Sequence, residues 1–234
     1  MSNEDFCKKV NLDFKDKSVL DTVFIHRSYI NEHRGLKLAH NERLEFLGDA
    51  VLELCVTEFL YEKYNKPEGE ITNLRSALVK GESLSEESKK LGINDLIKTS
   101  RGESKNTGKA RDLILANAFE ALIGAIYVDQ GYDAAYKFIE EHIIYKLDDI
   151  LEKGLFYDPK SKFQEMSQEN LGITPTYELI SESGPDHNKI FIMGAYLDDQ
   201  KVGEGSGQSK QKSQSEAAKN ALTNWEKIIN SIKS

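Results

Sequence analysis

His40-Asn41-Glu42-Arg43-Leu44-Glu45-Phe46-Leu47-Gly48-Asp49-Ala50-Val51-Leu52 sets three carboxylates, Glu42, Glu45 and Asp49, at i, i+3 and i+7 inside an otherwise apolar helical run. Positions at these spacings share one helix face, so the three acids point the same way. Leu44, Leu47, Val51 and Leu54, at i, i+3, i+7 and i+10, read as a separate stripe turned toward a core. Like charges this close repel one another, and a cation held between them removes the repulsion. The plain alternative is a solvated acidic face that Glu53 continues.

A second acid sits in a more apolar setting. Leu113 to Val128 reads LILANAFEALIGAIYV, with Glu120 its single carboxylate. An acid there is costly unless it is paired with Arg or Lys or bound to metal. Asn117, one turn earlier on the same face, offers an amide oxygen to the same place. Between the two helices, Lys66-Pro67-Glu68-Gly69-Glu70-Ile71 passes through a Pro/Gly turn and is expected to enter a helix near Thr72.

The string NERLEFLGDAVL resembles the signature helix of the ribonuclease III family, which cuts double-stranded RNA with divalent metal. The segment around Glu120 is similar to the family's second acidic helix, where the usual pattern has Asp at the position of Asn117. Asn keeps an oxygen of similar reach and loses a charge, so metal binding at that corner is expected to weaken without collapse of the site. The resemblance also implies that Glu68, the acid before the loop glycine, faces the catalytic valley, and Leu74-Arg75-Ser76-Ala77-Leu78-Val79 resembles the helix that follows it.

The chain has 234 residues and a net charge of −8, enough for one or two domains. Met1 to Lys9 is polar with no signal-peptide pattern, and no apolar run approaches the roughly 20 residues of a membrane span, so a cytoplasmic protein without membrane contact is expected. Cys7 and Cys55 are far apart, Cys55 on the apolar side of its helix, and imply neither a disulfide framework nor thiolate zinc. The five histidines lack ligand spacing, which disfavours zinc. Residues 159–234 carry 9 Lys against 10 acids, and residues 1–158 carry 22 Lys and Arg against 29, for balances of −1 and −7. Overall charge therefore argues against nucleic acid, and RNA contacts are expected to be local, salt-sensitive and concentrated on one face of the smaller domain.

Periodicity changes near Glu152 to Pro159. Residues 3–153 read as an all-helical domain, including a helix from Asp133 to Leu151 with Ala134, Phe138, Ile139 and Ile143 inward. Residues 154–158 read as a linker and 159–229 as an α+β domain. There Asp158 is placed as N-cap, Pro159 as first helical residue and Gly172 as stop, with Phe163, Met166 and Leu171 inward. Tyr177 to Ser181, Ile190 to Leu197 and Lys201 to Ser206 read as strands, and Ala217 to Ile229 as a closing helix packed through Ala218, Ala221, Leu222 and Trp225.

This α-β-β-β-α order resembles the double-stranded RNA-binding domain. Its RNA-facing positions fall on Ser161, Gln164, Glu165 and Gln168, a hydrogen-bonding stripe suited to a shallow minor groove, and on His187 in the loop Ser183 to Asn188. They also fall on Ser209, Lys210 and Lys212 before the last helix, where amide donors favour phosphate. The family has two adjacent lysines after the serine; here the second is Gln211 and Lys212 is displaced by one.

Together these likenesses imply a multidomain chain, an all-α endonuclease domain followed by a duplex-RNA-binding domain. Glu45, Asp49 and Glu120 would be the direct ligands of Mg²⁺ or Mn²⁺, with the Asn117 oxygen beside them and Asp49 and Glu120 central to catalysis. Glu42 and Glu68 would support the valley. The family products are 5′-phosphate and 3′-hydroxyl ends, from ribosomal precursors and other structured transcripts. A homodimer supplies two sites for two strands, with the aromatic at Phe46 inserted into its partner; read alone, Phe46 is a core residue. The reading from another class is a non-catalytic RNA-binding protein weakened by Asn117.

Overall fold

A computed structural model describes residues 2–154, 156–185 and 188–233. The chain divides into two compact units, Met1–Phe156 and Tyr157–Ser234. The first is helical: α1 (Asn3–Lys9), α2 (Lys17–Val23), α3 (Arg27–Glu32), α4 (Glu42–Lys63), α5 (Glu68–Val79), α6 (Gly81–Leu91), α7 (Lys109–Gln130), α8 (Tyr132–His142) and α9 (Leu147–Glu152). Its centre is α7, buried from Ile114 to Ile126 on nearly every side, with α4, α6, α8 and α2 packed around it. A helix surrounded this way must be apolar all round, which is the pattern of LILANAFEALIGAIYV.

On α4 the buried stripe is Gly48, Val51, Leu52, Cys55, Val56 and Leu60. This shifts the expected stripe by one position: Leu54 is 56% exposed, and Leu44 and Leu47 are half-buried. Asn41 is buried and donates from its side chain to the Val23 carbonyl (3.1 Å) and from its backbone to that of Ile25 (2.9 Å), tying the start of α4 to the preceding turn. The helix expected from Thr72 begins four residues earlier, at Glu68, directly after Pro67, whose fixed φ suits the entry to a helix. The expected Asp133 to Leu151 helix is instead α8, a 3₁₀ turn at Ile144–Lys146 and α9. The break lies where His142 Nδ1 (3.1 Å) and Lys146 Nζ (3.4 Å) both reach the buried carboxylate of Glu87 on α6. Ala135, rather than Ala134, faces the core.

The second unit comprises α10 (Pro159–Leu171), strands β1 (Thr176–Ser183), β2 (Ile190–Leu197) and β3 (Gln200–Gly207), α11 (Lys210–Thr223) and α12 (Trp225–Lys233). The strands form one antiparallel sheet in the order β1-β2-β3, with an irregularity in β1 between Leu179 and Ser181. Asp158 caps α10 by accepting from the Ser161 backbone (2.8 Å), Pro159 follows it, and Gly172 ends the helix at φ 71. The closing helix begins at Lys210, capped by Ser209, and breaks at Asn224 before α12. Its start escaped the apolar pattern because Lys210 to Ser215 carries no hydrophobic residue. Phe163, Ala195, Leu197, Ala217, Ala218, Ala221, Trp225 and Ile228 form the core, with Trp225 edge-on to Phe163 at 5.9 Å.

Candidate active site and nucleic-acid interface

The acidic site is set by a close crossing of α4 over α7. A methyl group at Gly48 would overlap the Glu120 carbonyl oxygen and stand 2.8 Å from the Gly124 nitrogen; one at Gly124 would overlap the Leu44 carbonyl. The two backbones therefore touch, and only glycine at both points permits it. Glu45 and Asp49 flank Gly48 on one helix, and Asn117 and Glu120 precede Gly124 on the other, so the crossing brings these four side chains to one edge.

Their electrostatics confirm the proximity. Burial pushes the Glu120 carboxyl up to about 7, and the charges of Asp49 and then Glu45 push in the same direction. Glu45 is raised by burial and by Glu42 and Asp49, while a hydrogen bond with Asn117 opposes the shift. Among the described residues no Arg or Lys forms an ion pair with Glu120, which removes the alternative of a simple salt bridge. A half-buried carboxylate with two carboxylate neighbours and no cationic partner fits a divalent ion, and an all-oxygen donor set suits Mg²⁺ or Mn²⁺. Among the described residues no three His, Cys, Asp or Glu side chains already stand as a finished ligand cage.

Two expected members stand apart. Glu42 adjoins Glu45 but turns its carboxylate to Arg27 (3.5 Å) and His40 (3.6 Å). Glu68 is exposed in the first turn of α5. Phe46, next to Glu45, is 81% exposed and is not part of this chain's core. The glycine pair and the anchor at Asn41 were missed by the sequence reading. Their signal was glycine within one turn of an acid on both helices.

On the second unit Ser161, Gln164, Glu165 and Gln168 are all exposed along α10. Ser161 bonds to Asp158, Gln168 donates to Thr174 (3.1 Å), and Glu165 pairs with Lys162 (3.8 Å). Ser209 accepts from the Lys212 backbone (3.3 Å), and Lys210 and Lys212 are exposed. His187 lies outside the described residues.

A family profile described as Ribonuclease-III-like matches residues 16–147. The ribonuclease 3 of Streptococcus gordonii is 46% identical over 218 residues, which cover 92% of each chain. The chain belongs to the ribonuclease III family. Members of the ribonuclease III family are double-strand-specific endoribonucleases that depend on divalent metal. A double-stranded RNA binding motif matches residues 159–224, so this ribonuclease III chain carries both parts in the expected order. The ribonuclease 3 of Streptococcus pneumoniae strain P1031 is 44% identical over 212 residues, 90% of this chain and 91% of that one. Among solved structures, the ribonuclease III nuclease domain of Campylobacter jejuni superposes with a TM-score of 0.54 at 38% identity, covering 60% of this chain and 98% of that one. Among the described residues no helix is long and apolar enough to cross a membrane.

Proposed function

We propose that the chain hydrolyses phosphodiester bonds of duplex RNA at the edge shared by α4 and α7, leaving 5′-phosphate and 3′-hydroxyl ends. Glu45, Asp49 and Glu120 hold Mg²⁺, or Mn²⁺ in its place, with the Asn117 amide oxygen beside them. When bound, such an ion supplies neutralising charge at the phosphate and a more acidic water. The protein's own part is positioning. The crossing at Gly48 and Gly124 fixes the spacing of the acids, the Asn117 amide orients Glu45, and partial burial limits competing water. Ser161, Gln164, Glu165 and Gln168 on α10, with Ser209 and Lys210 at the start of α11, hold the duplex by shape and phosphate contact. Ribosomal precursors and other structured transcripts in the cytoplasm are the substrates this implies.

The working form is a C2 homodimer, because each antiparallel strand of the duplex needs a site. Exposure of Phe46 beside the acids supports this, and the Campylobacter jejuni nuclease domain has a region involved in dimer formation.

The observation that carries the reading is Glu120, pressed by Asp49 and Glu45 and, among the described residues, without an ion-pair partner. Purified protein incubated with a long RNA duplex is expected to cut it with Mg²⁺ and not in chelator, and Glu120→Gln to bind without cutting. Equal cutting by both proteins removes Glu120 from the chemistry. Asn117 favours a second reading, a duplex-binding protein of weakened catalysis. Absence of cutting at any Mg²⁺ or Mn²⁺ level, with recovery in Asn117→Asp, would establish it.

A further inference from the structure

Where the resemblance implies two adjacent lysines at the start of α11, this chain has Lys210 followed by Gln211, with Lys212 displaced by one. Residues four apart on a helix share a face and residues two apart do not, so Lys210 groups with Gln214 while Lys212 lies on the far side. There Lys212 lines a shallow groove beside β3 with Ser206, Gly207, Gln211, Ser215 and Glu216.

A different cation stands on the Lys210 side. Lys160 Nζ donates to Gln214 Oε1 (2.7 Å) and lies 5.2 Å from the centre of the Tyr177 ring on β1. Lys210 lies toward the other end of β1 from Tyr177, where Glu182 is held below the ordinary carboxylate range chiefly by Lys189, with a smaller part from Lys210. On α10, Lys160 begins the row Lys160, Gln164, Gln168 at i, i+4 and i+8, the row of the proposed minor-groove contacts. Lys162, Lys189 and Lys201 are each paired with a glutamate, whereas among the described residues no carboxylate pairs with Lys160. Lys160 is half-buried, and its partner Gln214 is neutral, so the bond orients the ammonium without cancelling its charge.

We infer that Lys160 supplies the second phosphate-binding cation of the RNA-binding unit, alongside Lys210, and that Lys212 takes no part. The charge missing from α11 is thus replaced from α10, which brackets the same stretch of RNA backbone from two helices. This rests on the reading of the second unit as a duplex binder.

The test measures affinity of the full chain for a synthetic blunt RNA duplex in chelator over a series of salt concentrations. Each phosphate contact contributes roughly one unit to the slope of log affinity against log salt. Lys160→Gln is expected to lower affinity several-fold and flatten the slope by about one unit, and Lys160→Arg to restore both. Lys212→Gln is expected to change neither. Weaker binding by Lys160→Gln at unaltered slope would reduce Lys160 to a packing partner of Gln214 and overturn the inference, as would a flatter slope in Lys212→Gln. An unchanged slope in Lys210→Gln would instead overturn the duplex-binding reading itself.

Discussion

Glu120 is a half-buried acid whose ionisation works against the fold. Its folded-state value of about 7 lies above the ordinary 4.5, so between those values the folded chain holds a proton that the unfolded chain has released. Stability of the metal-free protein therefore falls as pH rises through that window. Glu120→Gln is expected to abolish this decline, so that in chelator its thermal midpoint at pH 8 exceeds that of the native chain. A midpoint with the same pH slope in both proteins contradicts the assignment. The closeness of Asp49 to Glu120 was legible in the sequence because an acid inside an apolar run has few physical excuses. Glu42 and Glu68 were less so, because their surroundings decide their role: Glu42 meets Arg27 and His40, which no spacing rule couples to it, and Glu68 stands on a helix that starts where a turn was expected.

Among the elements, the crossing of α4 and α7 converts two separate acidic patterns into one site. Gly48→Ala places a methyl against the Glu120 carbonyl, so the helices must part. We expect a loss of about 1–3 kcal/mol in denaturant unfolding and cleavage that fails to recover at saturating Mg²⁺. Gly69→Ala meets no atom within 4 Å and is the control, expected to keep cleavage while gaining up to about 1 kcal/mol from helix propensity. Retained cleavage in Gly48→Ala would mean that the spacing of the acids does not matter. The helices themselves were readable from their apolar period, and α10 to within its caps, because Asp158, Pro159 and Gly172 act locally. The breaks at His142 and Asn224 were not, since the first depends on Glu87 from a distant helix and the second has no Pro or Gly to mark it. The one-position shift of the α4 stripe has a similar origin. Hydrophobic period alone cannot separate Leu54, exposed on this chain, from Cys55, which is buried.

For the molecule as a whole, the telling feature is apolar surface left in water. Phe46, Leu54 and Tyr61 are 81%, 56% and 79% exposed along one side of α4, beside the acids. Large apolar groups gathered on one helix face mark a surface that another chain covers. Phe46 distinguishes a monomer from a dimer because truncating an exposed ring costs a lone chain under about 0.5 kcal/mol, whereas losing a buried aromatic anchor costs each protomer about 2 kcal/mol or more. On the proposed homodimer, Phe46→Ala is therefore expected to keep its helical content and to sediment as a monomer at concentrations where the native chain sediments as a dimer. Its thermal midpoint should also lose the dependence on protein concentration that a dimer carries. Cleavage should fall with it, since a single protomer presents one acidic edge to a duplex with two strands. A Phe46→Ala protein that stays dimeric, with the native concentration dependence intact, would place the contact between copies somewhere other than the α4 face beside Glu45 and Asp49.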